Sequence, residues 1–112
     1  MVEVVVKKVV RPEELDAMCG REVLAKVDGA LLTAGRARVL YEFYQFAGFD
    51  MVQRWKFCDY GPFAKAYAKW LSKHLAWLAR QGLLEEGEGP MGGKAYRITK
   101  DGIKVLCELG LL

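Results

Sequence analysis

The clearest pattern of apolar and polar positions runs from Phe63 to Gln81 and has helical spacing. At about 100° per residue, Phe63, Tyr67, Trp70, Leu71, Leu75 and Leu78 fall on one broad arc. Lys65, Lys69, Ser72, Lys73, Ala76 and Arg80 fall on the opposite one. One face is aromatic and aliphatic, and the other is basic. No Gly or Pro interrupts the span after Gly61-Pro62, so the pattern predicts one long amphipathic helix that ends at Gly82.

Two further helices are read in the same way. Thr33 is a plausible N-cap for Ala34 to Ala47, with Gly48 as the stop. Ala37, Leu40, Phe43, Tyr44 and Ala47 share a face of that helix, and Val39 and Phe46 lie off it. So apolar a helix must be covered on more than one side, by the N-terminal residues or by a second subunit. Thr99 can cap Lys100 to Leu109, with Asp101 in the first turn and Ile103, Leu106 and Cys107 as an apolar stripe. At the start of the chain, Val2 to Val10 reads as a strand or an extended arm. Pro12, followed by Glu13, Glu14 and Asp16, opens a helix. It ends near Gly20, or continues through Arg21 to Val27 and stops at Gly29.

The remaining segments are shorter. Asp50 to Tyr60 fits a strand by the alternation in Gln53 to Phe57, and a helix by the spacing of Met51, Trp55 and Cys58; a short helix is preferred. Leu83 to Glu86 and Lys94 to Thr99 read as two strands joined by the glycine-rich tip Gly87 to Gly93. That tip does not match a phosphate loop, and no helix follows it directly.

These elements come in a definite order. A helix ending LSKHLAWLARQGLL (Leu71 to Leu84) is followed by a glycine-rich hairpin and then by YRITKDG (Tyr96 to Gly102). On these motifs residues 33–109 resemble the winged helix-turn-helix transcriptional regulators of bacteria and archaea, such as the MarR, PadR and ArsR families. The resemblance implies an α+β, mainly α, fold: an N-terminal extension over residues 1–30, a candidate dimer interface, and a winged helix domain over 31–112. It also implies a homodimer on a near-palindromic double-stranded DNA site, with a recognition helix in the major groove. The positions that carry this role here are Lys65, Lys69, Ser72 and Lys73, with Lys94 on the wing. One departure stands out: those families have a distinct second helix and a polar turn before the recognition helix, whereas Pro62 to Gln81 reads as a single helix.

Charge agrees with that expectation. The net charge is +3, but residues 31–82 hold eight Lys and Arg against three Asp and Glu, and each flank is slightly acidic. A localised basic face is the electrostatic footprint of phosphate binding. Lys94 and Arg97 extend it to the hairpin, while Glu85, Glu86 and Glu88 oppose tight contact by the first hairpin strand. Arg36, Arg38, Arg54 and Lys56 are further candidates to flank a groove. Ser72 is placed to meet a phosphate or a base edge.

Other chemistry is poorly provided for. His74 is the only histidine and lies in the apolar arc, so it reads as a packing residue. No ordering of nucleophile, base and acid points to an enzyme. Cys19, Cys58 and Cys107 match no zinc spacing, and no cofactor or metal is expected. The three thiols read as reduced, with a disulfide between subunits left open. No apolar run approaches the roughly 18–20 residues of a membrane span, and the start of the chain lacks a signal peptide's basic region. The expected protein is therefore a cytoplasmic, non-enzymatic DNA-binding regulator, archaeal or archaeal-viral in sequence style. The alternative is a winged helix that docks onto other proteins in a transcription, replication or remodelling complex.

Overall fold

A computed structural model describes residues 2–112. It is an α+β fold of five helices and two small antiparallel sheets. The first sheet comprises β1 (Val4–Val6), β2 (Val23–Val27) and β3 (Ala30–Thr33), in that order, with α1 (Pro12–Ala17) between β1 and β2. Asp28 and Gly29 both have positive φ, 48° and 81°, which is the geometry of a tight hairpin turn matched to the right-handed twist of its strands. Val27 pairs with Ala30 across it. Of the two expected ends of the first helix, the one near Gly20 is the nearer, since α1 stops at Ala17, and Val23–Val27, the alternative continuation, is a strand. Asp28-Gly29 is a hairpin signal, where Gly29 alone had suggested a helix stop. This hairpin also spans the boundary expected at residues 30 and 31.

The first sheet passes directly into α2 (Ala34–Ala47), where the Thr33 side chain accepts a hydrogen bond from the Arg36 N–H at 3.4 Å. Ala37, Leu40 and Phe43 are buried as predicted, and so is Val39 on the other flank. The second cover comes from α1, β2 and β3, which pack against α2. Residues 50–60 contain both of the expected alternatives in miniature: β4 (Val52–Gln53) and then α3 (Arg54–Tyr60).

The single helix expected over Pro62 to Gln81 is broken near its start. A 3-10 turn, Lys65–Tyr67, leads into α4 (Ala68–Arg80), and Ala64 before it is extended. Packing accounts for the break. Phe63 sits edge-on to Phe57 of α3, at 6.2 Å, and to Trp70 of α4, at 5.6 Å. To serve both contacts the chain must turn back on itself between the two helices. A Cβ on Gly61 would lie 2.3 Å from the Phe57 carbonyl oxygen, so only glycine fits where α3 ends.

The second sheet has the order β4–β6–β5, built from β5 (Leu84–Glu88) and β6 (Lys94–Ile98), and α5 (Lys100–Glu108) follows. Its junctions explain the two sequence motifs. Gly82, at φ 75°, ends α4; the Leu83 N–H donates to the Leu78 carbonyl and the Gly82 N–H to the Ala79 carbonyl, which satisfies two orphan carbonyls of the last turn. The Thr99 hydroxyl donates to the Gly82 carbonyl at 2.6 Å and accepts from the Gly102 N–H at 3.0 Å. Thr99 thereby ties the end of α4 to the start of α5. Leu71, Leu75 and Leu78 of α4, Tyr96 of β6, Val105 and Leu106 of α5, and Leu24 and Val27 of β2 all enter one hydrophobic core.

Candidate nucleic-acid interface

The exposed side of α4 carries Lys69, Lys73 and Arg80, and Lys65 extends the row from the 3-10 turn. The opposite side buries Leu71, Leu75 and Leu78 completely. That burial fixes the rotation of the helix, and so decides which residues face solvent. No acidic residue occurs from Gly61 to Leu84. The ion pairs among the described residues are Lys8–Glu22, Arg38–Asp16, Lys94–Glu86 and Arg97–Glu85. The lysines of the row and Arg80 thus have no carboxylate partner there. Like charges along one ridge repel mildly, and a row of phosphates relieves that repulsion.

Ser72 does not offer its hydroxyl hydrogen to a ligand. It donates back to the Ala68 carbonyl at 2.8 Å, inside its own helix, and is half-buried. A serine in the middle of a helix commonly bonds in this way. Arg80 was absent from the site residues proposed from the sequence, although it lies on the same arc; the signal was its place one further turn along the basic face. It lines a depression of 330 Å³ with Ala76, Glu86 and Lys94, where α4 meets the hairpin.

The hairpin cations are held internally. Arg97 lies directly across from Glu85 in the β5–β6 register, and its Nε donates to Glu85 Oε2 at 3.0 Å. The Lys94 ammonium is 3.7 Å from Glu86 Oε1. All four side chains remain about half exposed, so the pairs are weak and dissociable. Even so, they neutralise the two charges expected to reach DNA from the hairpin. Below them, Tyr96 is fully buried and its hydroxyl donates to Glu86 at 3.3 Å. Burial, and then the Glu86 charge, raise the Tyr96 pKa.

Three of the other basic candidates lie over aromatic rings. The Arg36 guanidinium stacks on the Trp77 ring at 4.0 Å and donates to the Leu31 carbonyl at 2.8 Å. Arg38 pairs with Asp16 and covers the Phe63 ring. Lys56 lies over Trp55 on α3. His74 packs edge-on against Trp70 at 4.4 Å, and burial followed by the Arg36 charge lowers its pKa, so it is neutral near pH 7. The three cysteines are free, Cys58 buried and Cys19 and Cys107 exposed. Among the aromatic residues, Trp55, Tyr60 and Tyr67 are exposed. Among the described residues no cluster of three His, Cys, Asp or Glu is placed to hold a metal ion, and no helix is long and apolar enough to cross a membrane. Comparisons with family descriptions, with characterised proteins and with solved structures return no match.

Proposed function

We propose that this protein is a winged helix that binds double-stranded DNA, with α4 as the recognition helix and the β5–β6 hairpin as the wing. The observation that carries the reading is the acid-free ridge of α4, exposed and unpaired along its length. The order of elements supports it: α2, β4, α3, α4 and the hairpin follow one another in the winged-helix sequence, and β4 pairs with β6. The second helix of a winged helix corresponds to α3, within the stretch where a short helix is preferred, with Gly61 to Ala64 as the turn. As a transcriptional regulator it would act as a homodimer on two half-sites about one helical turn apart.

Lysines supply most of the contact, so binding is dominated by the phosphate backbone. Each phosphate neutralised contributes roughly 0.9 to the slope of log affinity against log salt. Lys69→Glu combined with Lys73→Glu is expected to abolish binding in gel-shift assays and to leave the thermal midpoint within a few degrees of the parent, because both side chains are exposed. Selection of sequences from random duplex DNA at two salt concentrations measures how specific the readout is. Unaltered gel shifts for the double variant would end the assignment.

One observation favours a second reading, a protein-docking winged helix. Phe46, Phe49, Met51 and Trp55 are exposed around the end of α2 and the start of α3, and the wing carries three glutamates. On that reading duplex DNA does not bind even at low salt.

A further inference from the structure

A two-lobed cleft runs between the N-terminal segment and the lead-in to α4. One lobe has a volume of 410 Å³ and the other 430 Å³, and Gly20, Gly35 and Trp70 line both. Each lies within the roughly 300–1,000 Å³ range of small-molecule sites. Two glycines meet at the shared rim. The Gly35 N–H donates to the Gly20 carbonyl at 3.0 Å, and a Cβ on Gly35 would stand 3.2 Å from that oxygen and 3.5 Å from the Trp70 ring. Glycine within a helix costs about 1 kcal/mol relative to alanine, and here it lets the Gly20 backbone and the Trp70 ring lie close against α2 at the rim the two lobes share.

The two lobes differ in chemistry. The first is walled by Leu15, Met18, Phe63 and Trp70, with Arg38 at its edge. The second is lined by Arg21, Thr33, Arg36 and His74, and no carboxylate lines either lobe. Asp16 stands 3.0 Å from Arg38 Nε, and burial followed by the Asp16 charge raises the Glu42 pKa nearby. Those two acids disfavour an anion at the Arg38 end. In the second lobe Arg21 and Arg36 have no carboxylate partner among the described residues. Arg36 is held in place by Trp77 and spends one of its donors on Leu31, leaving others free. Arg38 Nε is buried and lacks a well-aligned acceptor, since Asp16 is at contact distance but off the N–H direction. With almost no surface exposed, that nitrogen is closed to a ligand in the apolar lobe.

We propose that this cleft binds a mononucleotide, with its base against Trp70 and Phe63 in the apolar lobe and its phosphate between Arg21 and Arg36 in the other. A small aromatic carboxylate would occupy one lobe and leave the second unmatched. A base joined to a phosphate through a sugar spans both. Guanidinium groups suit the phosphate because they bond it in a bidentate manner. The same chemistry is offered by a free mononucleotide and by the terminal nucleotide of a strand. The site uses none of the exposed lysines of α4, so it stands or falls separately from the DNA reading.

The intact protein is titrated with AMP, GMP, CMP and UMP, by calorimetry and by tryptophan fluorescence. Saturable one-to-one binding is expected for at least one of them, with the parent nucleoside at least about tenfold weaker. Arg21→Glu, at an exposed position, should weaken that nucleotide about tenfold with an unchanged melting curve. Gly35→Val, at the shared rim, should remove binding; it also presses on Gly20, so the Arg21 variant decides. Lys69→Glu with Lys73→Glu should keep full nucleotide affinity. Competition by a 5′-phosphorylated oligonucleotide would assign the site to strand ends, and lack of competition to free mononucleotides; either supports the site. No saturable binding at millimolar nucleotide, benzoate binding as tightly as the nucleotide, or an unchanged affinity in Arg21→Glu would each overturn it.

Discussion

Single residues show how the two sequence motifs work. Gly102 is buried at the start of α5, and a Cβ there would lie 2.3 Å from the Leu83 carbonyl oxygen and 2.7 Å from Ile98. Gly93, at the hairpin tip, has open space around it. Gly102→Ala is therefore expected to destabilise by about 2 kcal/mol or more, by the overpacking mechanism, and Gly93→Ala by less than about 0.5 kcal/mol; urea unfolding of the two variants compares them directly. The motif made Gly102 legible as a position, but the reason for glycine lies in its contacts with Leu83, in the turn between α4 and β5, and with Ile98 of β6. Glu85 makes a second case. Its pairing with Arg97 depends on hairpin register, which the glycine-rich tip does not specify from sequence. If the wing approaches DNA, Glu85→Gln releases Arg97, strengthens binding and steepens the salt slope by about one phosphate; a weaker complex would argue that the wing faces away. His74 gives a pH prediction. Its folded pKa is lowered, so below the ordinary imidazole value of about 6.5 the unfolded chain binds more protons. The stability supplied by the neutral ring is present above that pH and is lost as pH falls below it. Denaturant midpoints at pH 7 and pH 5 should therefore drop more in the parent than in His74→Gln, and equal drops would show the ring to be uninvolved.

At the scale of elements, strong periodicity was read correctly and non-local packing was not. The core arc of α4, the extent and cap of α2, and the cap of α5 follow from spacing and capping residues alone. The start of α4 does not. Pro62 to Tyr67 has good helix formers, but edge-on contacts of Phe63 with two different helices pull the chain out of helical geometry. The consequence falls on the site: Lys65 leaves the α4 ladder for a 3-10 turn, and the ridge gains its last charge from Arg80 instead. The β2–β3 hairpin of the first sheet was missed for a different reason, although β1 falls within the stretch read as a strand or arm. Val23 to Val27 follows a plausible helix start, so the sequence leaves open a helix that ends near Gly20 and one that runs on to Gly29, although Asp28-Gly29 between β-branched runs is itself a hairpin signal. The functional arc of lysines was legible because one face of α4 must be buried; the pairing of the wing cations and the placement of Arg36 and Arg38 over aromatic rings were not, because they depend on neighbours distant in sequence.

For the whole molecule, the first thirty residues do more than extend a self-sufficient domain. Val2, Val10, Leu15, Leu24 and Val27 belong to the same core as α2, α4 and α5. The Val10 N–H donates to the Leu109 carbonyl at 2.9 Å, and the Ala34 N–H at the start of α2 donates to the Glu22 carbonyl at 2.7 Å. A chain of this size buries only about two thirds of the surface its unfolded form exposes. It cannot lose one sheet and keep a margin of about 5–15 kcal/mol. Leu24 is fully buried in β2, and Leu24→Ala is expected to cost about 2–5 kcal/mol. The loss should appear as one shifted transition, monitored equally by tryptophan fluorescence, which reports α3 and α4, and by far-ultraviolet dichroism, which reports all elements. A fragment beginning at Leu31 should expose the apolar flank of α2, lose the backbone partners of Ala34 and Gly35, and fail to unfold cooperatively. If that fragment instead folds and retains gel-shift activity, the N-terminal sheet is an accessory layer. In that case the nucleotide cleft, which takes Leu15, Met18, Cys19, Gly20 and Arg21 from the N-terminal residues, would be a separable attachment to the DNA-binding unit.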